Sequence, residues 1–301
     1  MRKGWNMKID GVFSGGGVKA YAFIGALEAL EREGYSFERV AGSSAGAILA
    51  SFLAANYTID EINTLMEDVS LIHFLDPPRW TRRIPFSKWI SLYFQMGLYK
   101  GDRFESWLRQ TLAKKGVRTF ADIAHGSLKI VVSDVTLGRL VVIPDDLYRL
   151  YQIDPATFSV ARAVRMSASF PYFFMPKKLQ NENGEKSYIV DGGLLSNFPL
   201  WVFRNENGRD VRPVLGISLS ESIEHGKEYR VRNSLDLLQA LFHSMLKAHD
   251  TRYIEKSKQD NIVFIPIKKI KTTDFSLTDK QKQSLIELGD IETKAFLRHW
   301  P

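Results

Sequence analysis

Apolar and polar positions alternate in short blocks at the start of the chain, and the period of the pattern changes from block to block. Residues 8–14 (KIDGVFS) read as a short strand that runs into three glycines. From Lys19 onward Ala22, Leu27 and Leu30 recur at helical spacing, and Gly34 supplies a stop. Residues 37–41 form a second short strand. A small-residue turn at 42–46 leads into the most apolar run of the chain, AGAILASFLAA, which predicts a helix over 45–56. The order strand, glycine loop, helix, strand, tight turn, helix is the opening of a parallel sheet covered by helices.

Further along, Thr58 to Val69 reads as a helix. The periodicity then breaks over 71–100, a stretch rich in aromatics, prolines and arginines, expected to form a helical or irregular cap or lid over the sheet. Helical spacing resumes from Asp102 to Leu112. Residues 128–134 and 138–143 read as paired strands, and Ser159 to Ser167 as a helix ended by SASFPYFFMP. Residues 187–191 form a strand that stops at Asp-Gly-Gly, and 211–220 another. An amphipathic helix over 233–253 places Leu235, Leu238, Phe242, Met245 and His249 on one stripe, expected to face the core. A late strand at 261–267 precedes a helix capped by Thr278, expected to end near Gly289 and to be followed by one more helix. No repeat, low-complexity tract or linker interrupts the chain. The expectation is one domain over 1–301, a three-layer α/β/α sandwich on a mostly parallel sheet, with a C-terminal extension of strand and helix over 221–301.

Composition narrows the chemistry. The chain has 301 residues, 45% of them hydrophobic and 25% charged, as in an ordinary globular protein. It contains no cysteine, so thiolate metal sites, disulfides and cysteine nucleophiles are excluded, and covalent chemistry must use Ser, Thr, Lys or a carboxylate. Acids and histidines do not fall at metal-ligand spacing. The N-terminus reaches glycine before any apolar run of signal-peptide length, and no run approaches the roughly 20 residues of a spanning helix. A cytoplasmic protein, at most peripheral to a membrane, is expected. The net charge is +7, and it is concentrated: between Arg79 and Arg118 ten basic residues face only Asp102 and Glu105. This is either a solvated basic face or a surface for anionic headgroups or phosphates. No nucleic-acid signature accompanies it.

Three motifs carry candidate chemistry. Gly42-Ser43-Ser44-Ala45-Gly46 is a G-x-S-x-G pentapeptide between a strand and an apolar helix, the setting in which a sharp turn exposes a serine nucleophile at a helix N-terminus. Ser14-Gly15-Gly16-Gly17-Val18-Lys19 also joins a strand to a helix, and its glycines let several N–H groups converge on a phosphate or an oxyanion, with Lys19 adding positive charge nearby. The same loop fits a dinucleotide fingerprint, Gly15-x-Gly17-x-x-Ala20, with Glu38 where a ribose-binding acid would stand. Asp191-Gly192-Gly193 ends a strand, and its glycines are expected to leave Asp191 accessible as a base. Asp134 also ends a strand and reads as structural. Among the six histidines, His225, His243 and His249 follow Ser44 and Asp191 in the order of an α/β-hydrolase triad, but none lies in a glycine-flanked loop of catalytic type.

Taken in order, G-G-G-x-K, G-x-S-x-G and D-G-G resemble the patatin-like phospholipases. Residues 97–102 (GLYKGD), 167–171 (SASFP) and 191–199 (DGGLLSNFP) also look like segments of that family, so the resemblance covers about 8–220. Ala20 departs from it, standing where the family usually has a further glycine. The resemblance implies a modified α/β-hydrolase core, no cofactor, and a Ser44–Asp191 dyad acting through an acyl-enzyme. The N–H groups of Gly15, Gly16 and Gly17 would form the oxyanion hole, with Gly42, Gly46, Gly192 and Gly193 shaping the turns. A carboxylate is a weak base for a serine hydroxyl, so the site is expected to shield Asp191 from solvent. The implied substrate is a fatty acyl ester, in a phospholipid or lysophospholipid, with transfer to an alcohol or thiol as the variant of the same chemistry. Phe74, Trp80, Phe86, Trp89, Tyr93 and Phe94 would line an acyl cleft, touch a membrane, or pack within the cap.

Overall fold

The computed structural model describes residues 7–78, 87–204, 210–219, 259–267 and 274–300, together with isolated positions between 231 and 272. The sheet grows outward from β1 (Met7–Phe13), whose last five residues are buried. A strand covered on both faces needs apolar residues at nearly every position, which is why IDGVF does not alternate with polar residues. The exception, Asp10, is fully buried and paired with Arg39, whose Nε donates to its Oδ1 at 2.9 Å. A parallel neighbour, β2 (Tyr35–Ser43), sets Phe13 opposite Gly42 and so brings the ends of the first two strands together. On the other side of β1 lie β9 (Val214–Ser218) and then β10 (Ile262–Phe264), both parallel.

Beyond β2 the order changes character. β4 (Leu128–Asp134) pairs in parallel with β2 through residues 128–131. Its other edge carries β5 (Arg139–Ile143), antiparallel. β8 (Lys186–Asp191) pairs antiparallel with Val132, Ser133 and Asp134, and β7 (Lys177–Gln180) lies outside it. Because β5 already spans residues 130–134 of one edge, β2 and β8 must share the other. The two strands therefore approach one another end to end along β4: Ser43 stands opposite Val131, and Asp191 opposite Val132. The sheet is mostly parallel, as expected, and its antiparallel part is what brings the two chain segments into contact.

Helices cover one face: α1 (Tyr21–Arg32), α2 (Ala45–Ala54), α3 (Ile59–Asp68), α5 (Asp102–Lys114), α7 (Val160–Ser167) and α8 (Asp279–Leu297). Phe23, Leu27, Leu49 and Phe52 pack there with Ile9, Phe13 and Ile130 from the strands. On the opposite face Val12, Ala41 and Val214 meet Phe198, Leu200, Val202 and Phe203. Helix starts follow the capping residues: Thr58 and Thr278 each accept the N–H three residues on, within full capping boxes, and Ser159 caps α7.

One expectation is corrected. Gly289 does not end a helix; α8 runs through it to Leu297. A Cβ at Gly289 would sit 1.9 Å from the Ala22 carbonyl oxygen, and one at Gly25 1.9 Å from that of Ile286, so the glycines exist to let α1 and α8 cross in contact. The described residues of the cap over 71–100 combine helix with irregular chain. They hold a 3-10 turn at Leu71–Phe74, α4 (Ser87–Gln95) and β3 (Gly97–Tyr99), which pairs with β6 (Tyr172–Phe174) as a separate two-stranded sheet. Between α5 and α7 lies the short α6 (Leu147–Tyr151), whose Tyr151 hydroxyl donates to Asp134. Asp134 also accepts the N–H groups of Thr136 and Leu137, the structural role read for it. Of the stripe expected over 233–253, only Met245 lies among the described residues, and it is exposed rather than in the core. No helix among the described residues is long and apolar enough to cross a membrane.

Candidate active site

Ser44 sits at the turn between β2 and α2 with φ 52° and ψ −120°, a left-handed conformation that a non-glycine residue holds only when its surroundings enforce it. The flanking glycines do the enforcing. A Cβ at Gly42 would lie 2.3 Å from the Gly46 carbonyl carbon, and one at Gly46 2.2 Å from the Phe13 carbonyl oxygen. The chain can double back only because both positions lack side chains. Ser44 caps the N-terminus of α2, so the helix dipole favours negative charge at its oxygen.

Asp191 reaches Ser44 because β8 ends where β2 ends. Ser44 Oγ donates to Asp191 Oδ2 at 2.7 Å, and the Gly193 N–H donates to Oδ1 at 2.8 Å. Asp191 is 2% exposed, so the glycines after it do not leave it accessible, while the shielding from solvent expected of a carboxylate base is present. Instead Gly192 lets the turn press onto the sheet, where a Cβ would stand 2.1 Å from the Val131 carbonyl oxygen. Burial pushes the Asp191 carboxyl up from 3.8 to about 7, against the hydrogen bonds from Ser44 and Gly193, which pull it down. Among the described residues no histidine bonds to this carboxylate. His225, His243 and His249 lie outside the described residues.

Neither member of the pair is held by its own side chain alone. The Ser44 N–H donates to Ser167 Oγ at 2.9 Å, and Ser167 Oγ donates onward to the Val131 carbonyl at 2.7 Å. The Asp191 N–H donates to the Ser169 carbonyl at 3.0 Å. Ser43 Oγ donates to the Ser196 carbonyl at 2.7 Å, tying the pentapeptide to the loop that follows Asp191. Behind Ser169 lies Arg165, fully buried, which donates to Ser169 Oγ at 2.6 Å and to the carbonyls of Lys100, Gly101 and Met175. Gly101 is left-handed at φ 67°, and a Cβ there would meet Arg165 Nε at 2.2 Å. Burial lowers the Arg165 guanidinium to about 10. One short segment, 165–169, thus touches the backbone of both site residues and anchors the base of the cap.

The glycine loop lies against Ser44. A Cβ at Gly15 would stand 3.2 Å from Ser44 Cβ and 2.3 Å from Asn197 Oδ1. The three-amide expectation is corrected here: the Gly15 N–H donates to the Asn197 carbonyl at 3.0 Å, so that donor is already engaged. The next donor after the trio, Val18 N–H, is taken by the Thr272 carbonyl at 3.1 Å. Gly16 and Gly17 have no acceptor among the described residues, and Gly17 is left-handed at φ 56°. Lys19 is half-buried in the 3-10 turn that follows. Glu38 belongs to the other end of β2, paired with Lys8 at 2.7 Å, so it does not stand beside the glycine loop as the acid of a dinucleotide site must. Among the described residues no cluster of acids and histidines suits a metal ion.

Several of these residues escaped the sequence reading. Ser167 and Ser169 lie in a segment singled out only by resemblance. Arg165 did carry a signal, since it falls four residues after Ala161 on the apolar face of α7 and had to be buried there. Thr272 and Phe275, which stacks on Phe173 at 5.3 Å, come from the C-terminal region, where no motif pointed to the site.

The profile of the family described as patatin-like phospholipase matches residues 11–204. The uncharacterized protein YqhO of Bacillus subtilis (strain 168) is 47% identical over 294 residues, which cover 98% of this chain and 99% of that protein. A cUMP-AMP-activated phospholipase of Escherichia coli is 26% identical over 198 residues, 62% of this chain and 54% of that protein. VipD from Legionella pneumophila superposes with a TM-score of 0.58 at 20% identity, covering 97% of this chain and 67% of its own. ExoU from Pseudomonas aeruginosa, solved with SpcU, gives 0.51 at 18% identity, and this chain spans 52% of it. These two likenesses show the fold. The family profile takes in both strand-end motifs and the glycine loop, and on its extent the chain belongs to the patatin-like phospholipase family of lipid hydrolases.

Proposed function

We propose that Ser44 and Asp191 form a two-residue nucleophile and base that hydrolyses fatty acyl esters of phospholipids or lysophospholipids. The observation that carries this reading is the 2.7 Å hydrogen bond from Ser44 Oγ to a buried carboxylate. Ser44 Oγ adds to the ester carbonyl carbon while Asp191 takes its proton. The resulting oxyanion is met by the N–H groups of Gly16 and Gly17, and loss of one such donor typically costs about 2.7–4 kcal/mol in the barrier. The bond to the leaving alcohol breaks as Asp191 returns the proton to that oxygen, leaving the acyl group on Ser44. Water then adds to the acyl carbon, giving a proton to Asp191. Collapse releases the fatty acid and restores the Ser44 hydroxyl.

Burial supports the base role. A carboxylate raised to about 7 is a far better proton acceptor than one at 3.8 and is still substantially ionised near neutrality. Transfer of the same acyl group to an alcohol or thiol would use the same residues, and product analysis with and without such acceptors separates the two outcomes. A fluorophosphonate probe tests the proposal: wild type is expected to label, with labelling abolished in Ser44→Ala and strongly slowed in Asp191→Asn. Undiminished labelling of Ser44→Ala would overturn it.

A further inference from the structure

The cap carries an apolar face that is exposed among the described residues. On α4 Ile90, Tyr93 and Phe94 fall at i, i+3 and i+4, one side of the helix. Tyr93 is 81% exposed and Phe94 73%, and their rings touch one another edge to face at 4.9 Å instead of entering the core. The face continues at the end of the helix. Met96 is exposed, and the residue after it, Gly97, pairs with the exposed Tyr172 across the small sheet.

Met96 and Tyr172 are both left-handed, at φ 57° and 63°, although neither is glycine. Bulky residues persist in this region only where the surroundings over-determine them, a condition that gathers at functional sites. Gly97 shows the constraint: a Cβ there would meet Met175 N at 2.5 Å, so the strand is pressed inward while its neighbours turn outward. By contrast Phe74 is buried against Phe104 and Trp107. The described aromatics of the cap are thus sorted into packed and exposed sets; Trp80, Phe86 and the side chain of Trp89 lie outside the described residues.

Charge and position identify the occupant. The segment from Arg79 to Arg118 holds ten basic residues and two acidic ones; Lys177 bridges both acids, at 3.1 Å from Asp102 and 2.7 Å from Glu105, while Arg109 also pairs with Glu105 and Lys115 with Glu61. An apolar face with an aromatic tip inside a cationic segment matches the boundary between acyl chains and anionic headgroups. The face is also linked to the site along the chain: Tyr172 lies three residues after Ser169, whose carbonyl holds the Asp191 N–H.

We propose that Ile90, Tyr93, Phe94, Met96 and Tyr172 form a membrane-docking face that inserts into the surface of an anionic phospholipid bilayer and presents the Ser44 site to it. This rests on the lipid-hydrolase reading for its purpose but not for its measurement. Partition to phosphatidylcholine vesicles, with and without phosphatidylglycerol, is measured on Ser44→Ala, so that no turnover intervenes. Binding is expected to need phosphatidylglycerol and to weaken in high salt. Adding Tyr93→Ala and Phe94→Ala is expected to reduce it at least tenfold, while the same pair in an otherwise wild-type chain hydrolyses a short soluble ester at the wild-type rate. Partition unchanged by the pair would overturn the proposal. A Tyr93→Trp variant keeps the face intact and reports insertion directly: its emission is expected to shift to the blue on the anionic vesicles, and no shift would overturn the proposal. A wild-type dimer that the alanine pair converts to monomer would assign the face to a second copy instead and overturn it as well. Short-ester turnover retained by Ser44→Ala would refute the proposed dyad while leaving the docking result to stand.

Discussion

At Asp191 a single carboxylate is asked both to stay out of water and to accept a proton. Its raised pKa has a definite consequence for rate. The base must be ionised, so kcat/KM for a soluble ester is expected to rise about tenfold per pH unit up to about 7 and then level. A limb in the usual carboxylate range near 4 would contradict it. The Ser44 backbone gives a second expectation. Removing Ser167 Oγ leaves the strained N–H without its acceptor, and Ser167→Ala is expected to lower kcat by roughly tenfold, about one hydrogen bond's worth, with KM little changed. Ser167→Thr retains the hydroxyl and should recover most of the loss, which steady-state kinetics on the pair of variants would establish. The motifs around Ser44 and Asp191 are legible in the sequence because backbone close approach demands glycine at fixed spacings. Ser167 and Ser169 are not, since a hydroxyl that serves a neighbour's backbone leaves no pattern. The engaged Gly15 amide was invisible for the same reason: its acceptor, the Asn197 carbonyl, belongs to the backbone of a distant segment.

At the scale of elements, local chemistry decided what could be read. Thr58, Ser159 and Thr278 begin helices where a side-chain oxygen meets an unpaired N–H, and such signals lie within four residues of one another. Gly289 misled because its reason lies in another helix. The crossing of α1 and α8 turns that error into a prediction. Gly→Ala normally favours a helix by about 1 kcal/mol, yet at Gly289 the new methyl would meet the Ala22 carbonyl oxygen at 1.9 Å. Overpacking of this kind costs about 1–3 kcal/mol, so Gly289→Ala is expected to lower the melting temperature rather than raise it. Calorimetry on Gly25→Ala should show the same sign. The direction of β8 was equally beyond local reading, because strand polarity is set by the partner strand and not by SYIVD itself.

For the whole molecule, the buried carboxyl makes stability depend on pH. Below 3.8 the group is protonated in both folded and unfolded chains. Between 3.8 and about 7 the unfolded chain ionises first, so the folded state loses stability as pH rises through that window. At about 1.4 kcal/mol per pH unit the effect reaches a few kcal/mol. Asp191→Asn removes it, and the variant is expected to be more stable than wild type at pH 8 with the difference vanishing in acid. Denaturant titrations at the two pH values measure this. The sequence disclosed the α/β class and the meeting of two strand ends only in outline, since the layout along β4 is a property of the sheet.

The end-to-end approach of β2 and β8 has a consequence for the order of assembly. Ser44 and Asp191 are 147 positions apart, and the strands that carry them are aligned by a third, β4, which pairs with β2 through residues 128–131 and with β8 through residues 132–134. The pentapeptide turn can form early from its own glycines, but its partner arrives only when the eighth strand has docked. Recovery of activity during refolding should therefore lag behind the recovery of helical signal, and a chain ending before β8 would carry the nucleophile without the means to use it.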